Sequence, residues 1–125
     1  MAQYAKYKSL GEKNENVPNV ESCKSISSFK DKKNYIEQNK LCVIDIYGTW
    51  CSPCMKIAPY YDQLAIKYNN PGNCILLKEN VDDKITQDLN GVPAFDFYLN
   101  QKKVDRIVGA DLTAVEEKIK KYLNT

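Results

Sequence analysis

An α/β fold, with a mixed central β-sheet flanked by helices on both faces, is predicted by three observations on this chain of 125 residues. Two nearly unbroken apolar runs, "LCVIDIY" (Leu41 to Tyr47) and "CILLK" (Cys74 to Lys78), have the composition of strands covered on both sides. Between them and at the C-terminal end, apolar residues recur at helical spacing. Just before the last helical stretch the pattern changes to the period-two alternation of an antiparallel hairpin.

Residues 1–19 are polar, rich in Lys, Asn and Glu, and broken by Gly11 and Pro18. They are expected to form a mobile or loosely docked extension, with one domain over residues 20–125. "VESCKSI" supplies a short strand. "SFKD" offers Ser28 as an N-cap with an acid three residues on, so a helix is expected to run to about Gln38. The strand "LCVIDIY" comes next, and Asp45 is the one residue in it that does not belong to an apolar run. Beyond "TWCSPC", Ile57, Tyr61, Leu64 and Tyr68 mark one face of a helix, with Pro59 inside it as an expected kink. "NNPGN" closes that helix, "CILLK" is the next strand, and "DDKITQDLN" is a weakly amphipathic segment expected as a helix of two turns. "PAFDFYL" turns Phe95, Phe97 and Leu99 to one side, and "NQKK" leads into "VDRIV" to complete the hairpin. The last helix starts near Asp111 and aligns Leu112, Val115, Ile119 and Tyr122. In order the chain reads βαβαβαββα, without an internal repeat.

With 18 basic and 16 acidic residues the net charge is +2, which gives no electrostatic case for a nucleic-acid or membrane partner. No stretch has the apolar core of a signal peptide or the roughly 18–20 apolar residues of a membrane span, so a cytoplasmic protein is expected. Five cysteines are an odd count, and Cys23, Cys42 and Cys74 are scattered. A reducing compartment suits this better than a secreted disulfide framework. Cys23 and Cys42 read as small apolar residues of strands; Cys74, just after a loop, is expected to be the most accessible of the three.

Three uses compete for the pair Cys51 and Cys54. Zinc needs four ligands, and the chain has no histidine and no second C-x-x-C. A structural disulfide across two residues gains little chain entropy. Thiol chemistry is favoured by the position of the pair, after a buried strand and at the opening of a helix. There the unpaired N–H groups and the positive end of the helix dipole favour a thiolate on Cys51. Cys54 is then near enough to resolve a mixed disulfide formed on Cys51. Pro53 stiffens the short loop, and Trp50 supplies a flat apolar surface for a partner.

"WCSPCMKIAP" resembles the active-site signature of the thioredoxin family, usually W-C-G-P-C-K, with Ser52 in place of the glycine. The resemblance runs from about Val20 to Leu123 and implies the thioredoxin fold. It places Asp45, six residues before Cys51, where thioredoxins carry a buried acid. Such an acid has its pKa raised by desolvation and can exchange a proton with Cys54; an aspartate satisfied by its surroundings is the alternative. Lys78 resembles the family lysine that approaches this acid, or is a solvated lysine at a strand end. "GVPAF" matches the family's cis-proline loop, so that Pro93 would face the cysteines and Val92 would offer backbone groups to an extended substrate. Gly109 resembles the glycine that lets a partner come close, or is needed only for its dihedrals.

The chain departs from the pattern at Ser52, in a connection between Asp83 and Pro93 that is a few residues short, and in its N-terminal extension. What the resemblance implies is a protein-disulfide oxidoreductase, first of all a reductase. Cys51 would be nucleophile, Cys54 resolving thiol and Asp45 proton carrier, with Lys78, Trp50 and Pro53 in support and Trp50, Val92, Pro93 and Gly109 shaping the substrate groove. No metal or organic cofactor is expected, since the dithiol carries the electrons. The expected partners are protein disulfides and a thioredoxin reductase or similar donor, and the protein is expected to be a monomer. An oxidase or isomerase using the same site, and a binding module with incidental thiols, are the alternatives.

Overall fold

The computed structural model describes Tyr7 and residues 23–125. Five strands form one sheet: β1 (Lys24–Ile26), β2 (Leu41–Tyr47), β3 (Cys74–Asn80), β4 (Ala94–Leu99) and β5 (Lys102–Val108). Their order is β1-β3-β2-β4-β5, parallel from β1 through β3 to β2 and antiparallel from β2 through β4 to β5. Helix α1 (Phe29–Gln38) covers one face, and α2 (Ser52–Tyr68) and α3 (Leu112–Leu123) cover the other. The mixed sheet with helices on both faces is therefore the architecture expected from the sequence.

Strand β2 lies in the middle and divides its side chains between two cores by simple alternation. Leu41 and Val43 join Ile57, Tyr61, Leu64, Phe95, Phe97, Val115 and Ile119 under α2 and α3. Cys42, Ile44 and Ile46 join Ile26, Leu77 and Ala94 under α1. Asp45 thus falls on the α2 face by parity. The expected cap is present, Ser28 Oγ accepting from the Asp31 N–H at 3.1 Å, and Asp111, near which the last helix was expected to start, caps it by accepting from the Ala114 N–H at 3.1 Å. Helix α2 continues through Pro59 to Tyr68. The hairpin turns on Asn100 and Gln101 alone, both with positive φ, so β5 begins at Lys102, earlier than "VDRIV".

Two expectations are corrected. The segment after β3 forms only one 3₁₀ turn (Val81–Asp83), where a two-turn helix was expected, and the order is βαβαβββα. Lys84, with φ of 56°, ends that turn, and long-range polar contacts hold the residues beyond it. Thr86 donates its N–H to Glu79 at 3.1 Å and accepts from Lys32 Nζ at 2.7 Å. Farther on, Arg106 donates to the Asp88 carbonyl at 2.6 Å while it clasps the buried Asp96. A weak local helical tendency cannot compete with these fixings. Secondly, Cys74 is fully buried, because it opens β3 opposite Leu41 and turns its thiol under α2.

Of the N-terminal extension, Tyr7 is described, and it is buried in the α2/α3 core. Its hydroxyl donates to the Ala110 carbonyl at 3.1 Å and accepts from the Leu112 N–H at 3.0 Å, at the start of α3. The other residues of the extension lie outside the described part.

Candidate active site

Strand β2 ends at Tyr47, and the next four residues bring the chain to α2 with Cys51 as its N-cap. The Cys51 sulfur takes the place a capping oxygen usually has: it accepts the Cys54 N–H at 3.2 Å. That donor and the helix dipole both favour negative charge on sulfur, which is what a nucleophilic thiol needs. Pro53 lies in the first turn, where its missing N–H costs no hydrogen bond. Cys51 and Cys54 form a disulfide with their Cα atoms 5.3 Å apart. Cys54 is almost fully buried, while Trp50 beside the pair is 67% exposed. A Cβ at Gly48 would stand 2.7 Å from the Trp50 ring, so the indole lies over this glycine and only a glycine leaves room for it.

Across from the helix start, the Val92 carbonyl oxygen is 3.7 Å from the Cys51 sulfur, and the Val92–Pro93 bond is cis. Gly109 donates its N–H to the Pro93 carbonyl at 2.8 Å. Its φ of 113° belongs to glycine, and a Cβ there would meet nothing within 4 Å. Trp50, Val92, Pro93 and Gly109 thus border one side of the molecule around Cys51, with exposed Met55 and Val108 nearby in the chain.

Behind the disulfide a cavity of about 150 Å³ is lined by Ser25, Asp45, Tyr47, Cys54, Met55, Ala58 and Lys78. Asp45 is 2% exposed, and its Oδ1 has no hydrogen-bond partner. Burial raises its pKa from 3.8 to about 7; Lys78 pulls it down and Asp62 pushes it up. A carboxyl near neutrality that shares a cavity with Cys54 can hold a proton or take one. Lys78 is the register partner of Asp45 across β2 and β3, but its ammonium pairs with Asp62, 2.8 Å away. Burial alone would lower the Lys78 pKa; the hydrogen bond and charge of Asp62 outweigh it and hold it above the usual value.

Cys54, Asp45 and Lys78 therefore meet at one cavity, while the Val92 carbonyl lies against the Cys51 sulfur, with Pro93 next in the chain and Gly109 bonded to it. Gly48 and Asp62 were missed in the sequence. Asp62 had a legible signal, since Cys54, Ala58 and Asp62 succeed one another at spacings of four and share a helix face. The remaining cysteines stand apart from this chemistry: Cys23, Cys42 and Cys74 are buried thiols with pKa values raised by desolvation, Cys42 and Cys74 to about 12. Among the described residues no cluster of acidic, Cys or His side chains is arranged to hold a metal ion, and no helix is long and apolar enough to cross a membrane.

A Cys-x-x-Cys disulfide whose first sulfur caps a helix, with a buried acid at the cavity beside the second, defines a thiol-disulfide oxidoreductase. A family model for thioredoxin matches residues 22–125. Thioredoxin 1 of Plasmodium falciparum is 31% identical over 103 residues, covering 79% of this chain and 96% of that protein. Thioredoxin-1 of Schizosaccharomyces pombe is 34% identical over 104 residues, covering 80% and 98%. A solved structure of Plasmodium falciparum thioredoxin superposes with a TM-score of 0.72 at 31% identity, over 79% of this chain and 98% of that one. The chain belongs to the thioredoxin family and has its fold: five strands in a mixed sheet, with three helices.

Proposed function

We propose that this protein is a disulfide reductase of the thioredoxin type, acting as a monomer on protein disulfides in the cytoplasm and recharged by a thioredoxin reductase or a similar donor. The observation that carries the reading is the sulfur of Cys51 in the N-cap position, accepting the Cys54 N–H, with Cys54 at the cavity that holds Asp45.

In the reduced protein the Cys51 thiolate attacks a substrate disulfide. One substrate sulfur leaves as a thiolate, and the other is joined to Cys51 in a mixed disulfide. The Cys54 thiol then gives its proton to ionised Asp45 and attacks the Cys51 sulfur. The Cys51–Cys54 bond forms, the bond to substrate breaks, and the second substrate thiolate departs and takes a proton from solvent. Two electrons have passed from the dithiol to the substrate, and Asp45 returns its proton to water through the cavity. Trp50, Met55 and Val108 supply apolar docking surface, and the Val92 backbone is available to pair with an extended segment. Pro53 holds the loop between the sulfurs, and Gly109 holds the Pro93 loop through its N–H. Three free thiols besides the pair suit a reducing compartment.

The test is the reduction of a model protein disulfide by dithiothreitol. Acceleration by catalytic amounts of the protein should vanish in Cys51→Ser, and Cys54→Ser should capture substrate through Cys51 alone. Capture through another cysteine refutes the assignment. Equilibration against glutathione decides direction: a potential well above the cytosolic poise would mark an oxidase or isomerase.

A further inference from the structure

A lysine that faces a buried, otherwise unpaired carboxylate across neighbouring strands is expected to pair with it. Lys78 faces Asp45 in this way, both side chains line the same cavity, and yet among the described residues no ion pair joins them. The Lys78 ammonium is turned instead to Asp62 on α2, at 2.8 Å, and Asp45 Oδ1 is left without a partner. We infer that Asp62 is a positioning residue for proton transfer: by holding Lys78 it keeps that ammonium off Asp45 and so preserves the basicity on which Cys54 depends. This rests on the reading of Asp45 as the proton carrier.

The electrostatics arise from three charges in a row. With Asp62 present, two carboxylates share one ammonium, and the buried one is the costlier to ionise. When Asp45 takes the Cys54 proton and becomes neutral, Lys78 keeps a charged partner in Asp62. Without Asp62, Asp45 is the remaining carboxylate for Lys78; their pairing would favour the ionised acid and make it a poorer acceptor for a thiol proton. The other groups that face Asp45 do not offer a substitute for Asp62. From α2 these are Cys54 and Tyr61, the latter with its hydroxyl 3.2 Å and 3.0 Å from the Val43 and Leu77 carbonyls. From β2 itself there is Tyr47, and ahead of β1 there is Cys23, whose thiol donates to the Leu76 carbonyl at 2.9 Å. On β4 the register partner is Phe95, which carries no charge.

The experiment is a carbon-13 titration of the Asp45 carboxyl by NMR in the full-length oxidised protein, which reads the acid directly and needs no catalysis. Asp62→Asn should lower the Asp45 midpoint by about one unit, a tenfold change in its ionisation ratio. Asp62→Glu should restore it, and Lys78→Met should raise it. In the Lys78→Met background, Asp62→Asn should move the midpoint far less than in the wild type. A midpoint unmoved by Asp62→Asn overturns the inference, and so does a shift that persists undiminished without Lys78, since the carboxylate would then act on Asp45 directly. Should Asp62→Asn not fold, the Lys78→Met arm still decides: a midpoint that stays or falls there refutes a lysine poised between two acids. The pH profile of disulfide reduction, measured alongside, tests the underlying reading separately. A profile that ignores the Asp45 midpoint removes the acid from catalysis while the NMR result stands.

Discussion

Replacing Asp45 by asparagine removes the ionisation that this fold accommodates least well, and the structure gives the size of the effect. The carboxyl titrates at 3.8 in its ordinary state and at about 7 in the folded protein, chiefly because burial disfavours the charged form. Because the folded value is the higher, the folded protein binds the extra proton between them, and stability falls as pH rises. The contribution of the neutral acid is complete below pH 3.8 and is lost as pH rises through 7. At pH 5, about two units below the folded value, some 2–3 kcal/mol remains, and at pH 8 almost nothing, at about 1.4 kcal/mol per unit. The chain has no histidine, and the disulfide-bonded cysteines do not titrate. Hydrogen bonds from Arg106 and Lys118 hold Asp88 and Asp105 down, and Lys67 and Tyr68 hold Glu116 down despite its burial. Urea unfolding of the oxidised protein at pH 5 and pH 8 should therefore show the wild type losing about 2–3 kcal/mol and Asp45→Asn losing almost none of it. Equal losses in the two proteins would refute the assignment of a near-neutral pKa to Asp45.

Three further outcomes can be checked. Tyr7→Phe leaves the Ala110 carbonyl and the Leu112 N–H without their partner and should cost about 1–2 kcal/mol in urea unfolding, and Tyr7→Ala about 3–5 kcal/mol. No loss in either would mean that the extension does not anchor there in solution. Arg106→Met strips the buried Asp96 of two hydrogen bonds and leaves it Lys103 at 3.4 Å; a loss of about 3 kcal/mol is expected, much reduced when Asp96→Leu is added. Gly48→Ala must push the Trp50 indole off its seat; because Trp50 is the single tryptophan, its emission should shift while the unfolding midpoint in urea stays nearly constant, and KM for a protein disulfide should rise. An unchanged emission spectrum would show that the ring does not rest on Gly48.

What the sequence disclosed, and what it withheld, divides along the range of the interactions. The strand-then-helix placement of Cys51, the cap Ser28 and the start of the last helix near Asp111 are consequences of local pattern, and each is present in the structure. The missing third helix is not a local matter. "DDKITQDLN" has enough amphipathic character to suggest two turns, but Glu79 and Lys32 engage Thr86, and Arg106 engages Asp88, from elsewhere in the chain. Cys74 comes after a loop and looked accessible; the β3 register with β2 buries it. Asp62 shares a helix face with Cys54 and Ala58, which local spacing shows, but only the neighbouring strand shows that a lysine meets it there. Tyr7 is a buried aromatic in a polar segment, and composition averages it away.

The other buried acids show why Asp45 is set apart. Glu79 and Asp96 are each fully buried in the sheet, and each has bases within reach: Lys32 at 3.3 Å for Glu79, and Arg106 at 2.6 Å with Lys103 at 3.4 Å for Asp96. Those carboxylates fasten the shortened connection between β3 and β4, and their charge is compensated where it stands. Asp45 is buried almost as deeply, but the cation closest to hand in register is committed to another acid. A structural role would be served better by an apolar residue or an amide, which would relieve the cost of ionising a buried carboxyl. The same sheet that pairs two acids leaves the third one dependent on pH, at the cavity lined by Cys54, where the proposed reduction has a use for a group able to gain and lose a proton near neutrality.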